Sequence, residues 1–184
     1  YNGGGVAVGD INQDGLADLY FSSTMGFNKL YLNLGNFKFK DITQEAGVDG
    51  GLGIKTGVSM VDLNGDGLLD IFVCKSGLFD PVYRENIIYI NNGNLTFTNR
   101  APEYHLNDQS FCTQTYFFDM DLDNDLDVFM VNHPVSWQDI NNIYIYQDEK
   151  GRYYVPEDTN RTYISNRLYE NLGNGNFKDV SAKA

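Results

Sequence analysis

Three copies of one acidic loop define the organisation of this chain. They read GDINQDGLADLYF, MVDLNGDGLLDIFV and FFDMDLDNDLDVFM, and their leading aspartates are Asp10, Asp62 and Asp119. These aspartates are separated by 52 and 57 residues. A period of about 50 residues is typical of repeat folds in which each repeat forms one supersecondary unit. The sequence therefore predicts three equivalent structural units.

A second motif follows each loop. It reads NKLYLNLGNFKFKDIT from Asn28, NIIYINNGNLTFTNRA from Asn86 and NRLYENLGNGNFKDVS from Asn166. Each copy contains two apolar stretches joined by an Asn/Gly-rich turn, and these residue types tolerate the positive φ angles of tight hairpins. We therefore expect a β-hairpin behind every acidic loop.

Each unit thus contains four predicted strands. They are Val6–Val8, Leu19–Ser22, Lys29–Asn33 and Lys38–Ile42, then Val58–Val61, Ile71–Cys74, Ile87–Asn91 and Thr96–Asn99, then Tyr116–Phe118, Val128–Val131, Arg167–Asn171 and Phe177–Val180. Four antiparallel strands in about 50 residues describe one blade of a β-propeller. The predicted fold class is all-β: a partial β-propeller of three four-stranded antiparallel blades.

We expect residues 1–184 to form a single propeller segment. The predicted blades are 4–50, 56–101 and 113–184, the last with an insertion at about 133–165. Since closed propellers use about four to eight blades, three blades are expected to belong to a longer ring. The insertion alternates apolar and polar residues around Asp148–Gly151, which predicts an extra hairpin.

The spacing of the acidic loops predicts calcium sites. Ca²⁺ takes six to eight oxygen ligands, and a tight loop supplies them from side chains at positions 1, 3, 5 and 9 and from the carbonyl at position 7. The candidate ligands are Asp10, Asn12, Asp14, Leu16 (carbonyl) and Asp18; Asp62, Asn64, Asp66, Leu68 (carbonyl) and Asp70; and Asp119, Asp121, Asp123, Asp125 (carbonyl) and Asp127. We expect about three Ca²⁺ ions and no catalytic residue.

The third loop departs from the other two. Asn124 replaces the glycine at position 6, where a left-handed backbone is expected. Asp121 replaces asparagine at position 3, so this loop offers four side-chain carboxylates as ligands rather than three. Because like charges repel, we expect the third unit to depend most on calcium.

Composition excludes several partner classes. The net charge of −12 disfavours nucleic acid, whose phosphates require a basic surface, and disfavours anionic membranes. No apolar run is long enough to span a membrane. Two cysteines, Cys74 and Cys112, are too few for a zinc site or a disulfide scaffold, and the sequence leaves open whether they pair or remain buried thiols.

The paired motifs, together with EAGVDGG and VCKSG, resemble the FG-GAP or VCBS-type repeat. This calcium-loop blade also occurs in integrin alpha-chain propellers, and a closer resemblance is to the bacterial proteins related to cartilage acidic protein 1, described as ASPIC/UnbV-type. The resemblance covers nearly the whole chain. It implies a propeller, calcium in the loops and no established catalytic activity. It also implies a secreted, periplasmic or cell-surface protein, of bacterial and Gram-negative type.

The leading hypothesis is a non-catalytic calcium-binding module that contacts an extracellular protein or glycan. One alternative is a propeller-borne enzyme acting on polysaccharide, and another is a dockerin-like calcium module, in which a helix follows each loop. The two histidines, His105 and His133, lie in no catalytic or metal-ligand spacing. The aromatic residues of the insertion either contact a ligand or cover a propeller face; they are Trp137, Tyr144, Tyr146, Tyr153 and Tyr154.

Overall fold

The computed structural model of the chain describes residues 3–78, 80–133, 145–154 and 165–183. Strands dominate these residues, in the order β1 Val6–Gly9, β2 Asp18–Phe21, β3 Lys29–Asn33, β4 Phe39–Asp41, β5 Ile54–Val61, β6 Asp70–Ser76, β7 Ile87–Asn91, β8 Phe97–Asn99, β9 Cys112–Phe118, β10 Asp127–Asn132, β11 Tyr146–Gln147, β12 Tyr153–Tyr154, β13 Arg167–Asn171 and β14 Phe177–Asp179. A four-residue helix, α1, spans Thr43–Ala46, and 3-10 turns span Pro81–Arg84 and Ser181–Lys183.

The strands form three four-stranded antiparallel sheets. Their orders are β1-β2-β3-β4, β5-β6-β7-β8 and β9-β10-β13-β14. The remaining two strands, β11 and β12, pair as a separate hairpin. The repeated four-strand meander is the blade of a β-propeller, so the all-β partial propeller predicted from the sequence is confirmed.

The first strands of neighbouring sheets lie beside one another. Gly5 N donates to Thr56 O at 2.9 Å, between the first and second sheets. Thr56 Oγ1 donates to Cys112 O at 2.7 Å, and Ser59 Oγ donates to Thr115 O at 3.2 Å, between the second and third sheets. The backbone of β5 therefore contacts the first sheet, and its polar side chains contact the third.

Two apolar cores separate the sheets. Because strand side chains alternate between faces, Ile71 and Val73 of β6 pack toward the first sheet, whereas Phe72 and Cys74 pack toward the third. All seven residues of β6 are buried, as expected for a strand covered on both faces. The second sheet is thus the central layer of the structure.

Several strand limits differ from those predicted. β5 begins at Ile54 and β9 begins at Cys112, both earlier than the apolar patterns indicated. The added residues of β5 include Lys55 and Thr56, and their polar side chains conceal the strand pattern. The predicted hairpin at Asp148–Gly151 is confirmed, since Gly151 N donates to Asp148 O at 2.9 Å between β11 and β12.

Candidate metal centres in the three acidic loops

Each acidic loop joins the first and second strands of its sheet. The first two loops contact each other, because Gln13 Nε2 donates to Gly67 O at 2.8 Å. The second connection of each sheet lies at the opposite end, since antiparallel strands reverse direction. The acidic loops and the variable connections therefore occupy opposite ends of the blades.

The aspartate at position 1 organises the loop backbone. Asp10 accepts hydrogen bonds from Asp14 N at 3.1 Å and Gly15 N at 2.8 Å. In the second loop, Asp62 makes the same pair of bonds at 3.1 and 2.9 Å. Asp119 accepts from Asp123 N and Asn124 N, both at 3.1 Å, and from Leu122 N at 2.7 Å. The side chain is thus held inside the turn in all three loops.

The aspartate at position 9 is fully buried in every loop. Its Oδ2 accepts from the residue after position 1, and its Oδ1 accepts from the end of the third strand of the sheet. In the second loop these donors are Leu63 N at 3.1 Å and Asn91 N at 2.8 Å. Asp18 and Asp127 repeat the arrangement with Asn33 N and Asn171 N, both at 2.8 Å. Position 9 therefore closes the loop onto the sheet.

An asparagine on the third strand completes this contact, and the sequence reasoning missed its role. Asn33 Nδ2 donates to Ala17 O at 2.9 Å, and Asn91 Nδ2 donates to Leu69 O at 3.2 Å. Asn171 Nδ2 donates to Leu126 O at 3.2 Å. The recurrence of this asparagine in YLNLGN, YINNGN and YENLGN was visible in the sequence, but its partner was not.

Position 6 adopts a left-handed backbone in all three loops. The φ angles are +84° at Gly15, +89° at Gly67 and +76° at Asn124. Asn124 therefore fills the role expected of the glycine it replaces. The residue at position 4 of the loop is left-handed as well. In the third loop this residue is Leu122, with a φ of +66°, and it lacks the conformational freedom of Gly65, its counterpart in the second loop.

Positions 3 and 5 differ between the loops. Asn12 Nδ2 donates to Asp14 Oδ2 at 3.0 Å, and Asn64 Nδ2 donates to Asp66 Oδ2 at 2.9 Å. The third loop has aspartate at position 3 and cannot form this bond. Instead, carboxylate oxygens of Asp119, Asp121 and Asp127 all lie within 4.8 Å of one another. The third loop thus holds the densest group of acidic oxygens.

Asp125 adds a further oxygen to the third loop. Its Oδ1 is buried and accepts no hydrogen bond. Loss of solvent and the nearby charge of Asp123 raise the pKa of Asp125 to about 6. Loss of solvent, followed by the charges of Asp123 and Asp127, raises the pKa of Asp121 as well. The sequence assigned only the carbonyl of Asp125 to a ligand position, whereas the structure gives its side chain an unsatisfied oxygen.

In the first two loops, burial disfavours the charged form of the position 9 aspartate. Burial raises the pKa of Asp70 to about 6 and raises that of Asp18, although backbone N–H donors oppose the shift in both. No ion pair among the described residues neutralises a loop carboxylate. A cation would supply the missing positive charge, and the all-oxygen donor set suits the hard ion Ca²⁺. The residues present therefore fit a calcium ion.

The remaining candidate residues lie outside the loops. Cys74 and Cys112 are buried free thiols in the core between the second and third sheets. His105 lies in the turn after β8, and His133 directly follows β10. Tyr146, Tyr153 and Tyr154 are exposed on the extra hairpin, with Tyr153 74% exposed. Trp137 and Tyr144 lie outside the described residues.

In the part of the chain that the structure describes, no helix is long and apolar enough to cross a membrane.

The fold and the loops define a class of protein: a β-propeller assembled from repeats that each carry an acidic loop between the first two strands. The family model described as "FG-GAP-like repeat" matches residues 10–73, from the first acidic loop to Val73 within β6.

The relatives agree with this class. The chain is 32% identical to cartilage acidic protein 1 of Xenopus tropicalis over 133 residues, which is 72% of this chain and 20% of that protein. It is 31% identical to cartilage acidic protein 1 of Homo sapiens over 134 residues, again 72% of this chain and 20% of that protein. The chain thus spans about a fifth of the length of these curated relatives. The chain thus carries an FG-GAP-like repeat and is similar to cartilage acidic protein 1 over most of its own length.

Proposed function

We propose that this chain is a non-catalytic, calcium-stabilised β-propeller module that binds an extracellular protein or glycan. The observation that carries the proposal is the third acidic loop, where three carboxylates converge within 4.8 Å and a fourth has an unsatisfied buried oxygen. Such a group is costly without a cation, because like charges raise each other's pKa. We assign one Ca²⁺ ion to each loop.

The ligands proposed for each ion follow the loop positions. They are the side chains at positions 1, 3, 5 and 9 and the carbonyl at position 7, and in the third loop the Asp125 carboxylate is an additional candidate. Eleven aspartates lie in the three loops. Three ions would therefore neutralise about half of the net charge of −12.

The role of calcium in this proposal is to stabilise the blades. A ligand that binds only the folded state adds about 2.7 kcal/mol per site at a hundredfold excess over its dissociation constant. The bound ion would hold the turn between the first two strands, while recognition falls to the connections at the opposite end. The exposed tyrosines of the β11–β12 hairpin belong to one such connection.

The dockerin alternative does not agree with the structure. A strand, not a helix, follows every acidic loop: β2, β6 and β10 begin at the position 9 aspartates.

The relatives and the repeat type support an exported protein. We propose that this one lies in the periplasm, at the cell surface or outside the cell of a bacterium.

Two measurements test this function. Thermal unfolding in calcium chloride and in EGTA should show a higher melting temperature with calcium, and equal melting temperatures would overturn the stabilising role. Protein and glycan arrays probed with calcium and with EGTA should give hits that depend on calcium. The absence of array hits, together with turnover of a substrate in a polysaccharide panel, would instead identify an enzyme.

A further inference from the structure

The second sheet carries a buried lysine, Lys75. It lies near the end of β6, and only 7% of its surface is exposed. Its backbone N–H donates to Asn86 Oδ1 at 2.9 Å. Its ammonium makes no hydrogen bond or ion pair with any residue that the structure describes. Loss of solvent around such a charge is unfavourable unless a partner compensates it.

A second buried lysine stands directly opposite. Lys55 on β5 pairs with Lys75 in the strand register, so both side chains lie on the same face of the sheet. Lys55 is satisfied, because its Nζ donates to Gly26 O at 2.7 Å and Gly51 O at 2.9 Å. Burial lowers the pKa of both lysines, and the charge of Lys55 lowers that of Lys75 further. The charge of Glu85 opposes this shift in part, but Lys75 lacks the direct hydrogen bonds that Lys55 makes.

The other two sheets show that the fold does not require a lysine here. Ser23 and Asn132 occupy the equivalent positions, and their backbone N–H groups donate to Asn28 Oδ1 and Asn166 Oδ1, both at 2.9 Å. The hydrogen bond that the repeat conserves among its own copies is thus made by the backbone. The lysine of the second sheet is therefore an addition to the repeat, and binding a ligand is one role that such an added cation can serve.

Lys75 lines a cavity of about 390 Å³ at the end of the sheets opposite the acidic loops. This volume lies within the range of small-molecule sites, roughly 300–1,000 Å³. Polar residues of the connections and of β8 share the lining, among them Asp49, Glu85, Asn99 and Asn107. The cavity therefore combines a buried ammonium with two carboxylates and with asparagine amides, which can both donate and accept.

Both acidic residues keep an oxygen available. Asp49 Oδ1 accepts from Gly51 N at 3.0 Å, and Glu85 Oε1 accepts from Gln109 Nε2 at 2.9 Å. Within the described part of the chain, the second oxygen of each carboxylate has no hydrogen bond. A bare inorganic anion would meet two carboxylates and be repelled. A ligand that carries both a carboxylate and hydroxyl donors would satisfy all three groups.

We propose that this cavity binds a sugar acid, of the type found as uronic acid units in acidic polysaccharides. Its carboxylate would pair with the Lys75 ammonium, and its hydroxyl groups would donate to the Asp49 and Glu85 carboxylates. The site deepens the glycan-binding role proposed above and rests on that role, but it lies away from the calcium loops. Binding is non-covalent, so no bond is formed or broken.

The test uses the whole chain in calcium, with glucuronate and galacturonate as probes and glucose and galactose as neutral controls. Saturation-transfer NMR and calorimetric titration would measure binding. Lys75→Asn introduces the residue that the third sheet carries at this position, and Lys38→Asn is a matched control at an exposed lysine. We expect both uronates to bind wild type and the control, with affinity at least about tenfold lower for Lys75→Asn and for the neutral sugars.

Unchanged uronate affinity in Lys75→Asn would overturn the proposal, as would equal binding of glucose or no uronate binding at all. If Lys75→Asn does not fold, Glu85→Gln decides, because it preserves the Gln109 contact while removing the charge; unchanged affinity there also overturns the site. A chain that is stabilised by calcium but ignores uronates would refute this inference alone. Uronate binding without a calcium response would refute only the calcium role.

Discussion

At the scale of single residues, the aspartates at positions 9 and 5 of a loop have different roles. The position 9 aspartate is buried and accepts two backbone hydrogen bonds, whereas the position 5 aspartate is exposed and accepts one from the backbone of position 7. Both were assigned as metal ligands from spacing alone. The structure adds a second task at position 9, which is to fasten the loop to the third strand.

Replacing these two aspartates of the second loop should therefore separate structure from metal binding. In Asp70→Asn, an amide N–H must face a backbone N–H, so we expect a loss of roughly 2–3 kcal/mol even in EGTA. Asp66→Asn keeps an acceptor and should be near neutral in EGTA but lose calcium stabilisation. Chemical denaturation of both variants, with and without calcium, measures this. Equal losses in EGTA would contradict the distinction.

Asp41 gives a pH dependence that does not involve the loops. Hydrogen bonds from Lys29 at 2.7 Å and from Thr43 lower the pKa of Asp41 to about 2. Since the unfolded value is about 3.9, its contribution is present above about pH 4 and is lost as the pH falls toward 2. The pair is exposed, so the contribution is below about 1 kcal/mol.

Asp41→Asn tests this assignment, because the second sheet carries Asn99 at the same place. We expect wild type to melt slightly higher than the variant at neutral pH and the difference to shrink near pH 3. Thermal melts across the pH range measure it, with Glu149→Gln at an exposed position of the β11–β12 hairpin as a control for general charge effects. A difference independent of pH would show that the carboxylate charge is unimportant.

At the scale of elements, the repeats made much of the structure predictable. The third strands Lys29–Asn33, Ile87–Asn91 and Arg167–Asn171 match their predicted limits. Each one follows an asparagine and ends on the asparagine before an Asn/Gly-rich turn. The early part of β5 was missed, since its polar residues serve contacts with neighbouring sheets. Helix α1 was missed because four residues show no helical period.

The third loop is the element whose metal dependence should differ most. Asp121→Asn gives it the position 3 residue of the other loops, and Asn12→Asp makes the reverse change in the first loop. We expect Asp121→Asn to raise the melting temperature in EGTA by roughly 2–4 °C and to reduce the gain from calcium, with opposite shifts for Asn12→Asp. If neither variant changed the melting temperature in EGTA, or both shifted it in the same direction, the carboxylate at position 3 would not set the calcium dependence of a loop.

At the scale of the whole molecule, two cores and three inner strands connect the blades. Sequence spacing predicted the meander within each blade, but contacts between blades join residues far apart in the chain, such as Thr56 and Cys112. The same limit applied to the loops, where the contact between Asp18 and Asn33 depends on the folded sheet. Long-range partners of this kind follow from the fold rather than from any local pattern.

The packing of the second and third sheets predicts how the thiols react. Cys74 and Cys112 are fully buried, so a thiol reagent should modify neither at an appreciable rate in the folded chain and both after denaturation without reductant. Mass spectrometry counts the labels. Two labels in denaturant confirm free thiols, whereas none would show that the cysteines had formed a disulfide.

The central claim is that the three acidic loops each hold one calcium ion and thereby stabilise the propeller. Calorimetric titration of the metal-free chain, checked by native mass spectrometry, tests it most directly. We predict three calcium ions per chain and the loss of one ion in each of Asp14→Asn, Asp66→Asn and Asp123→Asn. A metal-free chain that takes up no calcium, or variants that retain all three ions, would contradict the account.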